Sequence, residues 1–399
     1  MLEVNEFLVL DYVRDHGSTT RAEIGRALGL SPASVSRIVR RLGADGMIGE
    51  APSESTPSGR PSSVITFRRD AGAVIGVDLG GTRCQGVLAD LSGTVLASTL
   101  RPTHGSGDAF GALRASIRAM TREAARRDTP VVALAVGVPG IVDASSATVR
   151  EAPHVGWNGY PVAERLSSLV SVPFVIENDV NLAAIAHAWR GSGRQVDDFV
   201  TLSIGTGIGA AIVSGGRLLS GGHNVAGEVS YLIVRREQIR RRVVGSLGAF
   251  EAVASGPGIA AHARELLANG RPSELQGDEV TPERVIMAAE AGDALAREVV
   301  DVLLDDLAVA LVAFACTVDP ELVILDGGLG RSLEPWIEAL QERIRPSLPA
   351  VPRIVVSELG RDATVLGAVA AALQLARRRA APPSVQESLA VGGVSGLAG

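Results

Sequence analysis

The apolar positions of the chain change their period near residue 70. Before it they recur every three or four residues. Within PASVSRIVRRLGA, Val35, Ile38, Val39 and Leu42 fall at i, i+3, i+4 and i+7, one buried stripe of a helix, with Ser31 as its N-cap and Pro32 at its first position. Upstream, NEFLVLDYVRDHG reads as a helix stopped by Gly17. TTRAEIGRALGL reads as a second helix, with Thr20 and Glu23 spaced as a capping box. Downstream, MIGEA and SSVITFR have strand character and bracket a Ser/Pro/Gly-rich loop. Helix, tight turn at Gly29, basic helix and hairpin together predict a winged helix-turn-helix over residues 1–70. The face opposite the apolar stripe carries Ser34, Ser36, Arg37, Arg40 and Arg41 and no acid. This helix is expected to enter a major groove, Arg37 reaching a guanine edge, while Arg60 at the wing tip probes the minor groove.

From residue 73 the period shortens to that of strands. AVIGVDLGGTRCQGVLADLSGTVLAS reads as strand, glycine turn, strand, Ser-Gly turn and strand. Residues 199–221, FVTLSIGTGIGAAIVSGGRLLSG, repeat that grammar. A helical stretch follows each, AFGALRASIRAMTREAARR and GDALAREVVDVLLDDLAVALVAFACTV. A recurrence of this length predicts two similar α/β lobes with a cleft between them. The first lobe is placed at 71–190 and the second at 191–379. Periodicity is lost within ARRRAAPPSVQESLAVGGVSGLAG, so 380–399 is expected to be a mobile tail.

Composition narrows the partners. The chain has 399 residues, 46% hydrophobic and 3% aromatic, with a net charge of −6. The first 69 residues hold 9 Arg against 8 Asp and Glu, so the acidic excess lies in the body, which is no nucleic-acid surface. No run of about 18 unbroken apolar residues occurs and the N-terminus is acidic, so a soluble, cytoplasmic protein without a membrane partner is expected. Cys84 and Cys316 are expected to be small buried side chains, neither a disulfide nor a metal pair.

Chemistry collects at strand ends. Asp78-Leu79-Gly80-Gly81-Thr82 and Gly205-Thr206-Gly207-Ile208-Gly209 occupy equivalent places in the two repeats. Glycines there let backbone N–H groups approach phosphate oxygens, and the threonine hydroxyls add donors. Gly327 and Gly328, in LVILDGGLG, form a third such strand end. In PFVIENDVNLAAIAH a strand runs into Glu177-Asn178-Asp179 before a helix. Asp179 can cap that helix, accept a hydrogen bond from a sugar hydroxyl, or act as a general base.

DLGGT, GVPGIVD (137–143), APHVGW (152–157), ENDVN (177–181), GTGIG, AGEVS (226–230) and ASGPG (254–258), in this order, resemble the ROK family of bacterial sugar kinases and sugar-responsive repressors over residues 73–376. With Gly59-Arg60-Pro61 in the wing, the resemblance extends to the N-terminus and to the xylose-repressor-like branch. It implies a duplicated actin-like fold of the hexokinase and ribonuclease H type. It also implies that Asn178, Asp179, Glu228 and Glu251 contact a sugar, with Asp179 the base in a kinase, and that Tyr231 occupies a sugar-contacting position that is histidine in the family. Asp78, Gly80, Gly81, Thr82, Gly205, Thr206, Gly207, Gly327 and Gly328 would hold a nucleotide, with Asp78 placing magnesium. The family binds a structural zinc through that histidine and three cysteines. Here those positions carry Tyr231, Arg242, Val244 and Ala249, with Gly245 and Gly248 kept, so the zinc site is lost. The acid that closes the family's Asn-Asp helix motif is His187 here, to which no role is assigned.

The function expected is a sugar-responsive DNA-binding transcriptional regulator, a repressor of carbohydrate-metabolism genes. Its partners would be double-stranded operator DNA and a sugar or sugar-phosphate effector bound in the interlobe cleft. No cofactor is required; the intact loops leave ATP and magnesium open, and zinc is not expected. The alternative is an ATP-dependent kinase for a hexose or N-acetylhexosamine, carrying an appended DNA-binding domain. Paired half-sites call for a homo-oligomer, a dimer or tetramer, whose winged helices change spacing when sugar shifts the population of lobe closures.

Overall fold

The computed structural model describes residues 3–52, 63–103, 108–143, 146, 148–240, 248–275 and 280–390. At the N-terminus lie α1 (Val4–His16), β1 (Ser18–Thr20), α2 (Arg21–Leu28), α3 (Pro32–Ala44), β2 (Ile48–Pro52) and β3 (Ser63–Phe67). This is the winged helix, and its local signals operate as the sequence requires. Thr20 and Glu23 close the capping box of α2, the Ser34 N–H donates to Ser31 Oγ at 3.2 Å, and Gly29 ends α2 in the left-handed region. β2 and β3 pair antiparallel from Ile48↔Phe67 to Pro52↔Ser63 as the wing stem. β1 adds to the other edge of β3, a strand too short to show a period of its own. Arg60 and the wing tip lie outside the described residues.

A meander of β4 (Ala73–Leu79), β5 (Arg83–Asp90) and β6 (Val95–Pro102) follows, then α4 (Ala109–Arg126) and β7 (Val131–Val138). A small antiparallel sheet comes next, of β8 (Ile141–Val142), β9 (Val149–Ala152) and β10 (Trp157–Tyr160). After α5 (Val162–Ser167), β11 (Phe174–Asn178) runs directly into α6 (Asp179–Arg190). The five-stranded sheet has the order β11-β7-β4-β5-β6, with β4, β7 and β11 parallel. Its strands are apolar on both faces, as a covered sheet demands.

The second half repeats the plan. It contains β12 (Phe199–Ile204), β13 (Ile208–Ser214), β14 (Arg217–Leu218), α7 (Glu251–Ala254), α8 (Gly256–Ala268), α9 (Pro282–Ala291) and α10 (Ala294–Val318). β15 (Leu322–Asp326), α11 (Gly327–Ser332), α12 (Ile337–Ile344) and β16 (Arg353–Val356) complete its sheet in the order β14-β13-β12-β15-β16. Strand for strand this is the connectivity and direction of the first sheet, so the duplication expected from the meanders holds.

α13 (Ala363–Ala380) and α14 (Pro383–Ala390) follow, so the expectation of a mobile tail fails over residues 380–390, while 391–399 lie outside the described residues. Ala381 is fully buried in the winged-helix core with Phe7, Val13, Ile24, Val35 and Leu42, and Val385 packs against the same cluster. Arg377 donates to Asp11 of α1. The described residues divide into two units, one of residues up to 179 with 365–390, the other of residues 180–364. The division falls at Asp179 and not at the expected 190, and the first unit takes back the C-terminal helices. Within that unit α13 lies directly on β4. A Cβ on Gly76 would stand 2.8 Å from Val369 N and 2.9 Å from Val365 O, so this crossing admits only glycine.

Cys84 is buried as expected, whereas Cys316 is exposed, two residues past Phe314 and therefore on the far side of α10. Among the described residues no helix is long and apolar enough to cross a membrane.

Candidate functional site

In the winged helix most arginines already have acidic partners. Arg14 pairs with Asp11 and Asp15, and Arg21 with Glu50, whose carboxyl that guanidinium and the Ser63 hydroxyl bring down to about 2. Arg41, read from the sequence as part of the free polar face of α3, reaches Glu6 of α1 at 2.8 Å. Arg37 and Arg40 are exposed and have no ion pair among the described residues; Ser34 and Ser36 lie half-buried on the same helix. α3 therefore presents two unneutralised guanidinium groups to its surroundings, the equipment for phosphate and base-edge contact.

The carboxyl ends of the parallel strands of the first unit gather the next set. Asp78 of β4 and Glu177 of β11 are both in register with Gly137 of β7, which sets the loop after Asp78, the 137–141 loop and Asn178-Asp179 along one sheet edge. Such edges are where open α/β sheets bind ligands. The Asn178 side-chain amide donates to the Gly140 carbonyl at 3.1 Å, which fixes its plane. Asp179 opens α6, where the helix dipole favours a carboxylate. Asp78 is buried, and burial pushes its carboxyl up to about 6 against the pull of Arg83. Gly80, Gly81 and Thr82 form the turn between β4 and β5, and Gly81 abuts His154 of the APHVGW stretch, a neighbour the sequence did not single out.

The second unit has its own edge. The Gly205–Gly207 loop leaves β12 and Gly327-Gly328 leave the adjacent parallel strand β15. Gly327, at φ 80°, lies so close to β12 that a Cβ would stand 2.3 Å from Ile204 O, so the DGG turn needs glycine. The Gly256 N–H donates to Gly205 O at 2.8 Å, bringing the N-terminus of α8 against the first loop. Thr206 lies at the turn of that loop. Backbone donors at two loops and two helix starts make this edge fit for anionic oxygens. Asp326 at its centre is buried, which opposes ionisation, but His187, the Gly327 N–H and Arg331 hold its carboxyl below the usual range. His187 is fully buried, with Nε2 3.8 Å from Asp326 Oδ2 and neither ring nitrogen hydrogen-bonded.

Of the residues expected to contact sugar in this unit, Glu228 precedes the short 3₁₀ turn Val229–Tyr231 and is half-buried, and Tyr231 is 47% exposed. The Phe250 N–H donates to Ser230 O at 2.9 Å, so this turn and the start of α7 are held together. Glu251 is buried, and its Oε2 accepts the Ile208 N–H at 2.8 Å. One of its oxygens thus secures the Gly205–Gly209 loop, a supporting task the motif alone does not reveal.

A winged helix-turn-helix joined to a duplicated actin-like α/β body is the class defined by this fold. Residues 74–375 match the ROK family model, and the chain belongs to the ROK family. Residues 2–55 match the MarR family model. The xylose repressor of Caldicellulosiruptor bescii is 26% identical over 379 residues, covering 92% of this chain and 95% of its own. A glucokinase of Thermotoga maritima is 30% identical over 305 residues, covering 74% of this chain and 95% of its own. Among solved structures, a ROK family transcriptional regulator described as a homolog of the E. coli MLC protein matches with a TM-score of 0.78 and 25% identity, over 99% of this chain and 97% of that one.

Proposed function

We propose that this chain is a sugar-responsive repressor that binds double-stranded operator DNA through α3. The carrying observation is the continuity of the first unit. The winged helix shares one apolar core with Ala381 and Val385, these follow α13, and α13 is pressed onto β4, the strand that carries Asp78. A rearrangement at the carboxyl end of that sheet, where Asn178 and Asp179 lie, has a packed path to the recognition helix. The likeness to a xylose repressor along 92% of the chain supports the same reading, since it includes the winged helix. The effector is a sugar, with Asn178, Asp179, Glu228 and Tyr231 as its candidate contacts. Two copies would place two α3 helices in half-sites one helical turn apart. A complete switch in occupancy demands about 10⁴-fold differential affinity, roughly 5.5 kcal/mol. A partial response per protomer, summed over an oligomer, is within reach of one small ligand.

Operator binding tests α3 directly. Arg37→Ala should cost about 1–3 kcal/mol of operator affinity and relax preference at one base pair. Arg41→Ala, which removes a partner of Glu6, should leave that preference intact. Equal sequence preference in wild type and Arg37→Ala would overturn the placement. The effector is sought by titrating hexoses, pentoses and N-acetylhexosamines against operator-bound protein, and a panel with no effect on affinity would reject sugar control.

A kinase reading has one observation in its favour, the 30% identity to a glucokinase over the body. Gly80, Gly81, Thr82, Gly205, Thr206, Gly207, Gly327 and Gly328 would then be candidates for nucleotide binding, and Asp78 for placing magnesium. Asp179 would take the proton from the attacking hydroxyl, worth about 10²–10⁴ in rate. ADP release that depends on sugar and disappears in Asp179→Asn would establish this activity beside DNA binding.

A further inference from the structure

The family's zinc would sit between residue 231 and the stretch ending at 249, and the residues here do not fit it. Arginine, valine and alanine stand at three of the four ligand positions and tyrosine at the fourth. Among the described residues no group of three or more His, Cys, Asp or Glu is arranged to hold a metal. Yet the described parts of this stretch are firmly tied. Gln238 is 6% exposed, and its Oε1 accepts the N–H groups of Val234 at 3.0 Å and Arg235 at 2.9 Å. Its Nε2 donates to the carbonyl of Ala249 at 2.8 Å. Arg235 grips Asp306 of α10 with two bonds, from Nε at 2.8 Å and Nη2 at 2.6 Å, and Asp306 is 4% exposed. Leu232 and Val234 pack on the apolar core of the same unit.

We propose that Gln238, backed by the Arg235–Asp306 pair, is a metal-free clamp in the place of the zinc. The amide spans the same two strands of chain, from the backbone at 234–235 to Ala249, the residue at the third cysteine position. It does so with both acceptor sites of its oxygen and one of its two N–H groups engaged, three of the amide's four hydrogen-bonding positions, where a metal would have used four side chains. Released from a metal, position 231 carries a half-exposed phenol in place of a fixed imidazole. Arg235 keeps the clamp registered on α10, because a bidentate guanidinium–carboxylate pair fixes orientation as well as distance.

Metal content and amide exchange of the whole protein test this without sugar or DNA, and so independently of the effector reading. The expected result is no stoichiometric zinc in protein grown with zinc, and exchange at 228–240 and 248–251 unchanged by a strong chelator. Gln238→Glu keeps the shape and the acceptors but turns an oxygen toward the Ala249 carbonyl. It should speed exchange at Val234 and Arg235 by about tenfold or more. Asp306→Asn, which keeps the fold's packing, should speed the same amides more modestly. Stoichiometric zinc whose removal loosens this stretch would overturn the proposal. So would exchange in Gln238→Glu equal to that of the wild type.

Discussion

Ala381→Glu should abolish operator binding while leaving the second unit folded. Ala381 is fully buried among the apolar side chains of α1, α2 and α3. A carboxylate placed in that apolar core loses its water, at a cost of about 3–5 kcal/mol. A domain the size of the winged helix is held by only about 5 kcal/mol. The measurement is operator affinity beside hydrogen exchange: amides of α3 should lose most of their protection while those of β12 and β15 keep theirs. Protected α3 amides in Ala381→Glu would mean that the winged helix does not rely on the C-terminal helices.

Asp78→Asn should make the protein more stable at neutral pH and flatten its stability between pH 4 and 7. The carboxyl titrates near 6 in the folded chain and near 3.8 otherwise, because burial disfavours the ionised form. Between those values the folded state holds a proton that the unfolded state has released. The stabilisation is therefore complete below about pH 4 and is lost as pH rises through 6. At about 1.4 kcal/mol per pH interval, the ionised side chain costs on the order of 3 kcal/mol at neutral pH. Thermal melting at pH 5 and 7.5 reads this out, and parallel pH curves for wild type and Asp78→Asn would refute it. A carboxylate kept at such a cost is suited to receiving positive charge.

The sequence made the winged helix legible because its signals are local. A serine cap, a proline at the first turn, a capping box and a four-residue apolar stripe each act within a few residues. The two lobes were legible for a different reason, the recurrence of a strand-turn-strand grammar. What escaped reading depends on distant partners. β1 has three residues and exists by pairing with β3. α14 follows Pro382 and opens on Pro383 in a stretch of weak periodicity, and Val385 acquires meaning only against a core laid down in the first seventy residues. His187 sits buried beside Asp326, nearly 140 positions away in the chain. Gln238 resembles any polar residue in an arginine-rich run. The one available hint in the sequence was that Gly245 and Gly248 keep the framework positions of the family's zinc loop while its cysteines are absent. Glu251 matched a sugar-contact position by motif, while its bond to Ile208 N is visible in coordinates alone.

The packing of Ala381 and Val385 beneath α3 also sets an order of events during synthesis. More than 300 residues separate them from Val35. At roughly 5–20 residues per second a ribosome needs about 17–70 s to bridge that interval. Through that time the emerging winged helix lacks part of its own interior, so a nascent or prematurely stopped chain makes a poor competitor for the operator. Occupancy is thereby reserved for chains whose sensing body has already been made.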